Sequence, residues 1–319
     1  MPYLAVGAVG RRRGAHGALR RRRARARGGR ADRGRACRHP CARPRIVARR
    51  PRRRLGARGR HRLNDTPAPA GVLAVDKPEG WTSHDVVALV RGILHVKRVG
   101  HGGTLDPLAS GLLPVLVGAA TKFAERFHEA IKVYDARVRF GGETTTDDRE
   151  GPVSRTADVP PFDRAAMETA LDSLRGAILQ VPPSFAALKV AGRPAYARAR
   201  AGEQVVLAAR RVQVHRLEVI ATDPPDVRLL VVCSSGTYVR AIARDLGRAL
   251  GSAAFLEGLR RLAVGALDVS NAIPASEMRA RGAVALTESL RPTSDDLLAV
   301  DPRFLERPAT IVVAGDAHR

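Results

Sequence analysis

The sequence has few cysteines and no long apolar run. Cys37 and Cys41 lie near the N terminus, and Cys233 is the only cysteine in the remainder of the chain. A disulfide framework is therefore excluded, and a reducing cytoplasm is the expected compartment. No stretch approaches the ~20 apolar residues of a membrane span, so we expect no membrane partner. The CRHPC segment with Cys37 and Cys41 has no evident fourth ligand, and we predict no metal site.

Common cofactor motifs are also missing. The GHGG stretch at 100–103 begins like a phosphate-binding loop, but GxxxxGK[ST] is not completed and GxGxxG fails at Leu105. The metalloprotease motif HExxH is absent as well. These absences exclude a standard nucleotide cradle or zinc protease site.

The positive charge is concentrated at one end. Residues 1–70 contain 23 arginines, no lysine and two acidic residues, which gives +21 of the total +24 and leaves +3 for the other 249 residues. This segment has no hydrophobic period, so we predict that it is disordered. It is interpreted as an RNA-binding arm, a transit peptide, or the product of a start codon placed too far upstream. The lack of serine before Pro67 argues against the transit peptide.

The rest of the chain has the periodicities of a folded domain. Residues 132–140 alternate, with Tyr134, Ala136, Val138 and Phe140 on one face, which predicts a half-buried strand with Tyr134 pointing inward. Ser83 is the expected cap of an amphipathic helix that ends near His95. Further elements are predicted as strands at 72–75, 211–221 and 226–233, a helix at 164–175, and a helix after the SSG turn at 234–236. This mixture predicts an α+β fold with a mixed, mainly antiparallel sheet flanked by helices.

One carboxylate stands out in GHGGTLDPLASGLLPVLVGAATKF, residues 100–123. Pro107 biases Asp106 away from helical backbone, and the surrounding glycines permit close approach of other chain segments. Asp106 is interpreted either as a simple turn cap or as a buried functional carboxylate. A functional buried carboxylate requires a cation, so the second interpretation predicts an Arg or Lys partner elsewhere in the chain.

The same stretch resembles the signature of TruB-type tRNA pseudouridine synthases. Further blocks follow in the order of that family: GVLAVDKPEGWTSHDVV, YDARVRFGGETTTDDREG, PSFAALKVAGRPAYARARAGE, CSSGTYVRAIARDLG and LRRLAVG. Together they cover residues 71 to about 275. The resemblance implies a pseudouridine-synthase fold and isomerisation of a uridine in the tRNA T-loop, at position 55, to pseudouridine. It also implies that the reaction needs no cofactor.

The resemblance also implies the catalytic residues. Asp106 corresponds to the catalytic aspartate, acting as nucleophile or initiating base, and Arg240 to its ion-pair partner. Tyr134 corresponds to the tyrosine that stacks on the target base and is a candidate for handling the C5 proton. Tyr238 corresponds to a second active-site tyrosine.

Substrate-binding residues are implied in the same way. Leu259 corresponds to a pocket leucine, and His101 to the motif histidine associated with the flipped loop of the RNA. Lys77 and Lys189 are expected to contact RNA. Other basic residues beside the motifs are expected to contact phosphates as surface charges: Lys97, Arg98, Arg193, Arg260 and Arg261.

These observations predict three segments: an Arg-rich extension at 1–70, a catalytic domain at 71–285, and a short remnant of a PUA domain at 286–319. The expected partner is the T-arm of tRNA, bound by a monomer without an obligate protein partner. Two alternatives remain open. One is a guide-RNA-dependent (Cbf5-type) pseudouridine synthase, and the other is a non-catalytic tRNA-binding chaperone.

Overall fold

The computed structural model describes residues 68–185 and 207–306, and the main chain of 189–190 and 193–194. Residues 1–67 of the predicted extension, and residues 307–319, lie outside the described part. The strands are β1 Gly71–Lys77, β2 Val99–His101, β3 Ala109–Val117, β4 Lys132–Phe140, β5 Gly142–Thr144, β6 Val153–Thr156, β7 Gly176–Gln180, β8 Lys189–Val190, β9 Arg193–Pro194, β10 Arg210–Asp223, β11 Asp226–Cys233, β12 Ala254–Val264, β13 Leu267–Asp268 and β14 Ile273–Pro274. The α-helices are α1 Ser83–Leu94, α2 Ala124–Glu129, α3 Arg164–Asp172, α4 Val239–Ala249 and α5 Met278–Glu288.

Within the described residues, ten strands form one mixed sheet in the order β14-β1-β3-β12-β4-β11-β10-β7, with β2 beside β3 and β13 beside β12. Strand β12 comes late in the chain but lies between β3 and β4, parallel to the first and antiparallel to the second. The parallel pairs are β3–β12 and β1–β14, and all other neighbours in this sheet are antiparallel. The predicted α+β fold with a mainly antiparallel sheet is confirmed.

The half of the sheet around β4 is covered on one face by α3 and α4. Ala136, Val138 and Phe140 of β4 are buried in a cluster with Ile242 of α4, and Tyr134 packs against the same cluster. The predicted alternation of β4 is therefore confirmed. Burial of this apolar face is the main contribution to holding α4 on the sheet.

Helix α1 packs on the β1 and β3 half through an apolar face that includes Val86 and Val90. Its cap is Thr82 and not Ser83, so the predicted cap was one residue off. The Thr82 hydroxyl accepts from the Asp85 N–H at 3.1 Å, and the Asp85 carboxylate accepts from the Thr82 N–H at 2.8 Å. This reciprocal pair is a capping box. Ser83 is instead turned inward.

The C-terminal part of the described chain joins the same core. Arg291 and Val72 exchange two main-chain hydrogen bonds, of 2.8 and 2.9 Å. Leu297 and Phe304 are buried in clusters that line the sheet. The boundary predicted after residue 285 falls inside α5, and residues 286–304 pack on the sheet together with the residues before them. Within the described residues no helix is both long and apolar enough to cross a membrane.

Candidate active site

Asp106 lies in the loop that joins β2 to β3, and neighbouring segments hold this loop on both sides of it. The Gly102 N–H donates to the Pro114 carbonyl at 2.8 Å, and the Gly80 N–H donates to the Pro107 carbonyl at 2.8 Å. These main-chain bonds tie the loop to β3 and to the turn after β1. The loop thus presents Asp106 from a fixed backbone.

Arg261 of β12 holds the start of the same loop. Its guanidinium donates to the carbonyl oxygens of Leu112 at 2.7 Å, Gly103 at 3.1 Å and Thr104 at 3.3 Å. We expected a surface charge for RNA, but the residue is only 1% exposed. That expectation was wrong, because three carbonyl groups in the interior replace the solvent around this cation. Arg261 therefore restrains the conformation of the loop through the carbonyl groups of Gly103 and Thr104.

The structure brings Asp106 and Arg240 together as an ion pair, with 3.1 Å between Asp106 Oδ2 and Arg240 Nη2. The side chain of Arg240 is 8% exposed and that of Asp106 is 41% exposed. The expectation of a buried carboxylate was therefore wrong: Asp106 lies at the opening of a cavity, with the buried cation beneath it. Its carboxylate is accessible to a substrate and oriented by the guanidinium.

Arg240 is also held by a second carboxylate, which sequence reasoning did not single out. Its Nη1 lies 3.2 Å from Asp148 Oδ2 and donates to the Thr146 carbonyl at 3.1 Å. Its Nη2 donates to the Phe185 carbonyl at 3.2 Å. The side chain of Asp148 is 4% exposed. The only sequence signal was the pair of acidic residues in TTTDDREG. Arg240 thus bridges one buried and one accessible carboxylate, which fixes the direction of its fork.

A cavity of about 290 Å³ opens beside Asp106. It is lined by five residues that the resemblance implied, namely Asp106, Tyr134, Tyr238, Arg240 and Leu259. Three further basic residues line it that were not assigned there: His128, Lys132 and Arg261. The cavity combines one reactive carboxylate with aromatic and aliphatic walls, which suits a planar base that has left its stack.

Burial raises the pKa of both tyrosines of the cavity. Burial raises the pKa of Tyr134 to about 12, although the charge of Arg261 acts in the opposite direction. Burial also raises the pKa of Tyr238, opposed by Arg240. Both phenols are therefore protonated at neutral pH and available as hydrogen-bond donors.

Lys132 and His128 line one side of the cavity. The Lys132 amine donates to the carbonyl oxygens of Phe127, Ala130 and His128 at the end of α2. Burial, followed by the charge of Arg261, lowers its pKa to about 8. His101 does not line the cavity: its ring lies 6.0 Å from that of His128, edge to face, and burial lowers its pKa.

The remaining predicted RNA-binding residues differ in accessibility. Lys77 is fully buried, and its amine donates to the carbonyls of Pro78 at 2.9 Å and Trp81 at 2.6 Å. It supports the 78–81 turn, so the expected direct contact with RNA is not available to it in this conformation. Lys189 lies in β8, and its side chain is outside the described residues. Lys97 and Arg98 are exposed, whereas Arg260 is paired with Asp76 at 2.7 Å.

Among the described residues no group of three or more His, Cys, Asp or Glu side chains is arranged to hold a metal ion. Lys132 and Arg261 are instead bound by carbonyl oxygens, and Arg240 by carbonyl oxygens and carboxylates. The chemistry available to the site is therefore that of one oriented carboxylate, two neutral phenols and nearby cations.

Comparison with solved structures indicates the class of protein. A chain of a Cbf5-Nop10-Gar1 complex matches with a TM-score of 0.55 and 28% identity, and a chain of an H/ACA RNP bound to a substrate RNA containing 2′-deoxyuridine matches with 0.52 and 25%. Each match covers 70% of this chain and 60% of the other. Together with the site, these neighbours place the fold among the pseudouridine synthases, as predicted.

Sequence comparison narrows this to one family. The profile of the TruB family pseudouridylate synthase N-terminal domain matches residues 91–239. Two proteins called tRNA pseudouridine synthase B, from Thermobifida fusca and Corynebacterium efficiens, are 49% and 43% identical over 218 and 234 residues. The matches cover 66% and 72% of this chain and 74% and 79% of those proteins. A namesake from Burkholderia lata is 50% identical over 64% of this chain and 63% of its own length. The chain belongs to the TruB family of pseudouridine synthases.

Proposed function

We propose that this protein isomerises uridine 55 in the T-loop of tRNA to pseudouridine, with Asp106 as the nucleophile or initiating carboxylate. The observation that carries the proposal is the ion pair of 3.1 Å between an accessible Asp106 and a buried Arg240, in a chain of the TruB family. The choice of tRNA is supported by the name of the relatives at 43–50% identity. The choice of the T-loop uridine is supported by the motif resemblance.

The reaction needs no external reagent. The bond between N1 of uracil and C1′ breaks, the base turns, and a bond forms between C5 and C1′. The proton lost from C5 is balanced by one gained at N1, so nothing is hydrolysed, oxidised or reduced. One carboxylate is sufficient for such a sequence. Arg240 holds Asp106 through Oδ2, which leaves the other carboxylate oxygen to act on the base or the sugar.

Tyr134 is proposed to stack on the flipped base from the wall of the cavity. With its pKa raised to about 12 by burial, Tyr134 is a neutral phenol at pH 7. A role in removing the C5 proton therefore requires the phenol to release its own proton in the same step.

The two alternatives receive less support. The chains in Cbf5 and H/ACA complexes are 25–28% identical to this one, against 43–50% for the relatives called tRNA pseudouridine synthase B. A non-catalytic chaperone does not require the Asp106–Arg240 pair. Action as a cytoplasmic monomer without an obligate protein partner, and the division of the chain at residues 70 and 285, stay predictions.

The test is tritium release from an unmodified tRNA transcript labelled at C5 of uridine, with the full chain as enzyme. We expect release from the T-loop uridine by the wild type and none by Asp106→Asn. The variant should still bind the transcript, because it loses one charge without losing the cavity. Asp163→Asn is the matched control: it makes the same change at an exposed helix cap, where the amide oxygen still accepts from Ala166, and should retain full activity.

A transcript with cytidine at the T-loop position completes the test. Continued release from that transcript would show that another uridine is the substrate. Turnover by Asp106→Asn would contradict the catalytic role of this carboxylate. A folded wild type that binds the transcript without releasing tritium would favour the chaperone, and activity that appears only with a guide RNA would favour the Cbf5-type alternative.

A further inference from the structure

Ser83 contacts the catalytic loop from outside the cavity. It is the first residue of α1, and it is 4% exposed. Its hydroxyl accepts from the Leu105 N–H at 2.9 Å and donates to the Leu105 carbonyl at 3.2 Å. Both main-chain polar groups of the residue before Asp106 are thus satisfied by one side chain from another element. This fixes the peptide from which Asp106 projects.

Gln180 makes an equivalent contact on the opposite side of the ion pair. It ends β7 and is 1% exposed. Its amide oxygen accepts from the Tyr238 N–H at 2.8 Å, and its amide nitrogen donates to the Tyr238 carbonyl at 3.2 Å. Tyr238 is the N-cap residue of α4, and Arg240 lies in the first turn of that helix. Gln180 therefore fixes the backbone from which Arg240 projects.

We propose that Ser83 and Gln180 are positioning residues that together set the geometry of the Asp106–Arg240 pair. Neither lines the cavity, so neither touches the substrate. Each uses one acceptor and one donor on a single residue, which restrains rotation of the peptide as well as its translation. A displacement of 1 Å at a reacting group costs about a hundredfold in rate. Loss of the hydrogen bonds made by either residue is therefore expected to slow the chemical step while leaving the binding surface unchanged.

This inference rests on the proposed function, so the experiment measures wild-type turnover first. Single-turnover tritium release, RNA affinity and melting temperature are compared for the full-length wild type, Ser83→Ala and Thr82→Ala. Thr82 is the matched control, because it is the neighbouring hydroxyl residue, and it caps α1 without contacting the loop. Both substitutions should lower the melting temperature. Ser83→Ala should also slow release about 10- to 100-fold with RNA affinity within about twofold, whereas Thr82→Ala should keep the wild-type rate.

Gln180→Met provides a second variant, since methionine has a similar length but makes neither hydrogen bond. It should slow release in the same way, also at unchanged affinity. The positioning role is overturned if the wild type turns over and folded Ser83→Ala and Gln180→Met do so equally fast. It is also overturned if Thr82→Ala slows release as much as Ser83→Ala, because that result would reflect helix stability alone. A wild type that binds RNA but releases no tritium would instead refute the proposed function.

Discussion

Replacing Arg240 with methionine should damage stability and catalysis for separate reasons. The buried Asp148 loses its cation at 3.2 Å, and removing one partner of a buried pair costs about 3–5 kcal/mol. Asp106 is 41% exposed, so loss of its ion pair with Arg240 should lower the free energy of unfolding by at most about 1 kcal/mol. Loss of the Asp106–Arg240 pair should affect the reaction rate more strongly than the stability. Losing a hydrogen bond to a charged group costs about 1.5–3 kcal/mol, or roughly 10- to 150-fold in rate if it operates in the transition state.

The double variant Arg240→Met with Asp148→Asn separates the two effects. Neutralising Asp148 removes the stranded buried charge and should recover at least about 1 kcal/mol of stability. It should recover no activity, because Asp106 still lacks its cation. Urea unfolding measures the first quantity and single-turnover tritium release measures the second. A double variant no more stable than Arg240→Met would refute the assignment of the stability loss to Asp148, and restored turnover would refute the role of the cation at Asp106.

Three further results are expected. Lys132 has a pKa of about 8 against an ordinary 10.5, so the unfolded chain binds more protons between these values and stability rises with pH across that window. The free energy of unfolding is measured with urea at both ends of this pH window. It should rise less in the Lys132→Met variant than in the wild type, but some rise should remain because the pKa of Lys77 is also about 8. Gly111→Ala should lower the free energy of unfolding by about 2 kcal/mol or more. The φ of Gly111 is +101°, and an added Cβ would lie 2.3 Å from a backbone oxygen of β12. Gly92→Ala, with no atom within 4 Å, should be neutral or stabilising in the same urea assay. Tyr134→Phe should slow single-turnover release at least about tenfold with RNA affinity little changed; an unchanged rate would exclude its hydroxyl from the reaction.

Local patterns predicted the elements well because burial repeats with the period of the backbone. The alternation of residues 132–140 reflects one face against the core and one toward charged neighbours, and β4 has the predicted bounds. The helix near Ser83 and the strands at 211–221 and 226–233 were likewise found to within a few residues. Each of these signals comes from residues close together in the chain.

Contacts between distant segments were less accessible to sequence reasoning. Thr82 and Ser83 are adjacent hydroxyl residues, and only the position of Leu105, 22 residues away, decides which one turns inward. Arg261 was predicted to be a surface charge because the carbonyl groups that surround it belong to residues about 150 positions earlier in the chain. Asp148 acquires its importance only from Arg240, 92 residues later.

The central place of β12 has a consequence for the synthesis of the chain. Strands β3 and β4 leave the ribosome early, but the strand that joins them, residues 254–264, follows more than 110 residues after β4. Until then both strands have an open edge, and the two halves of the sheet have no shared partner. The loop with Asp106 also lacks Arg261, its anchor from β12. A polypeptide that still lacks β12 therefore has no assembled pocket with which to engage RNA, because Leu259 and Arg261 of β12 form part of its lining.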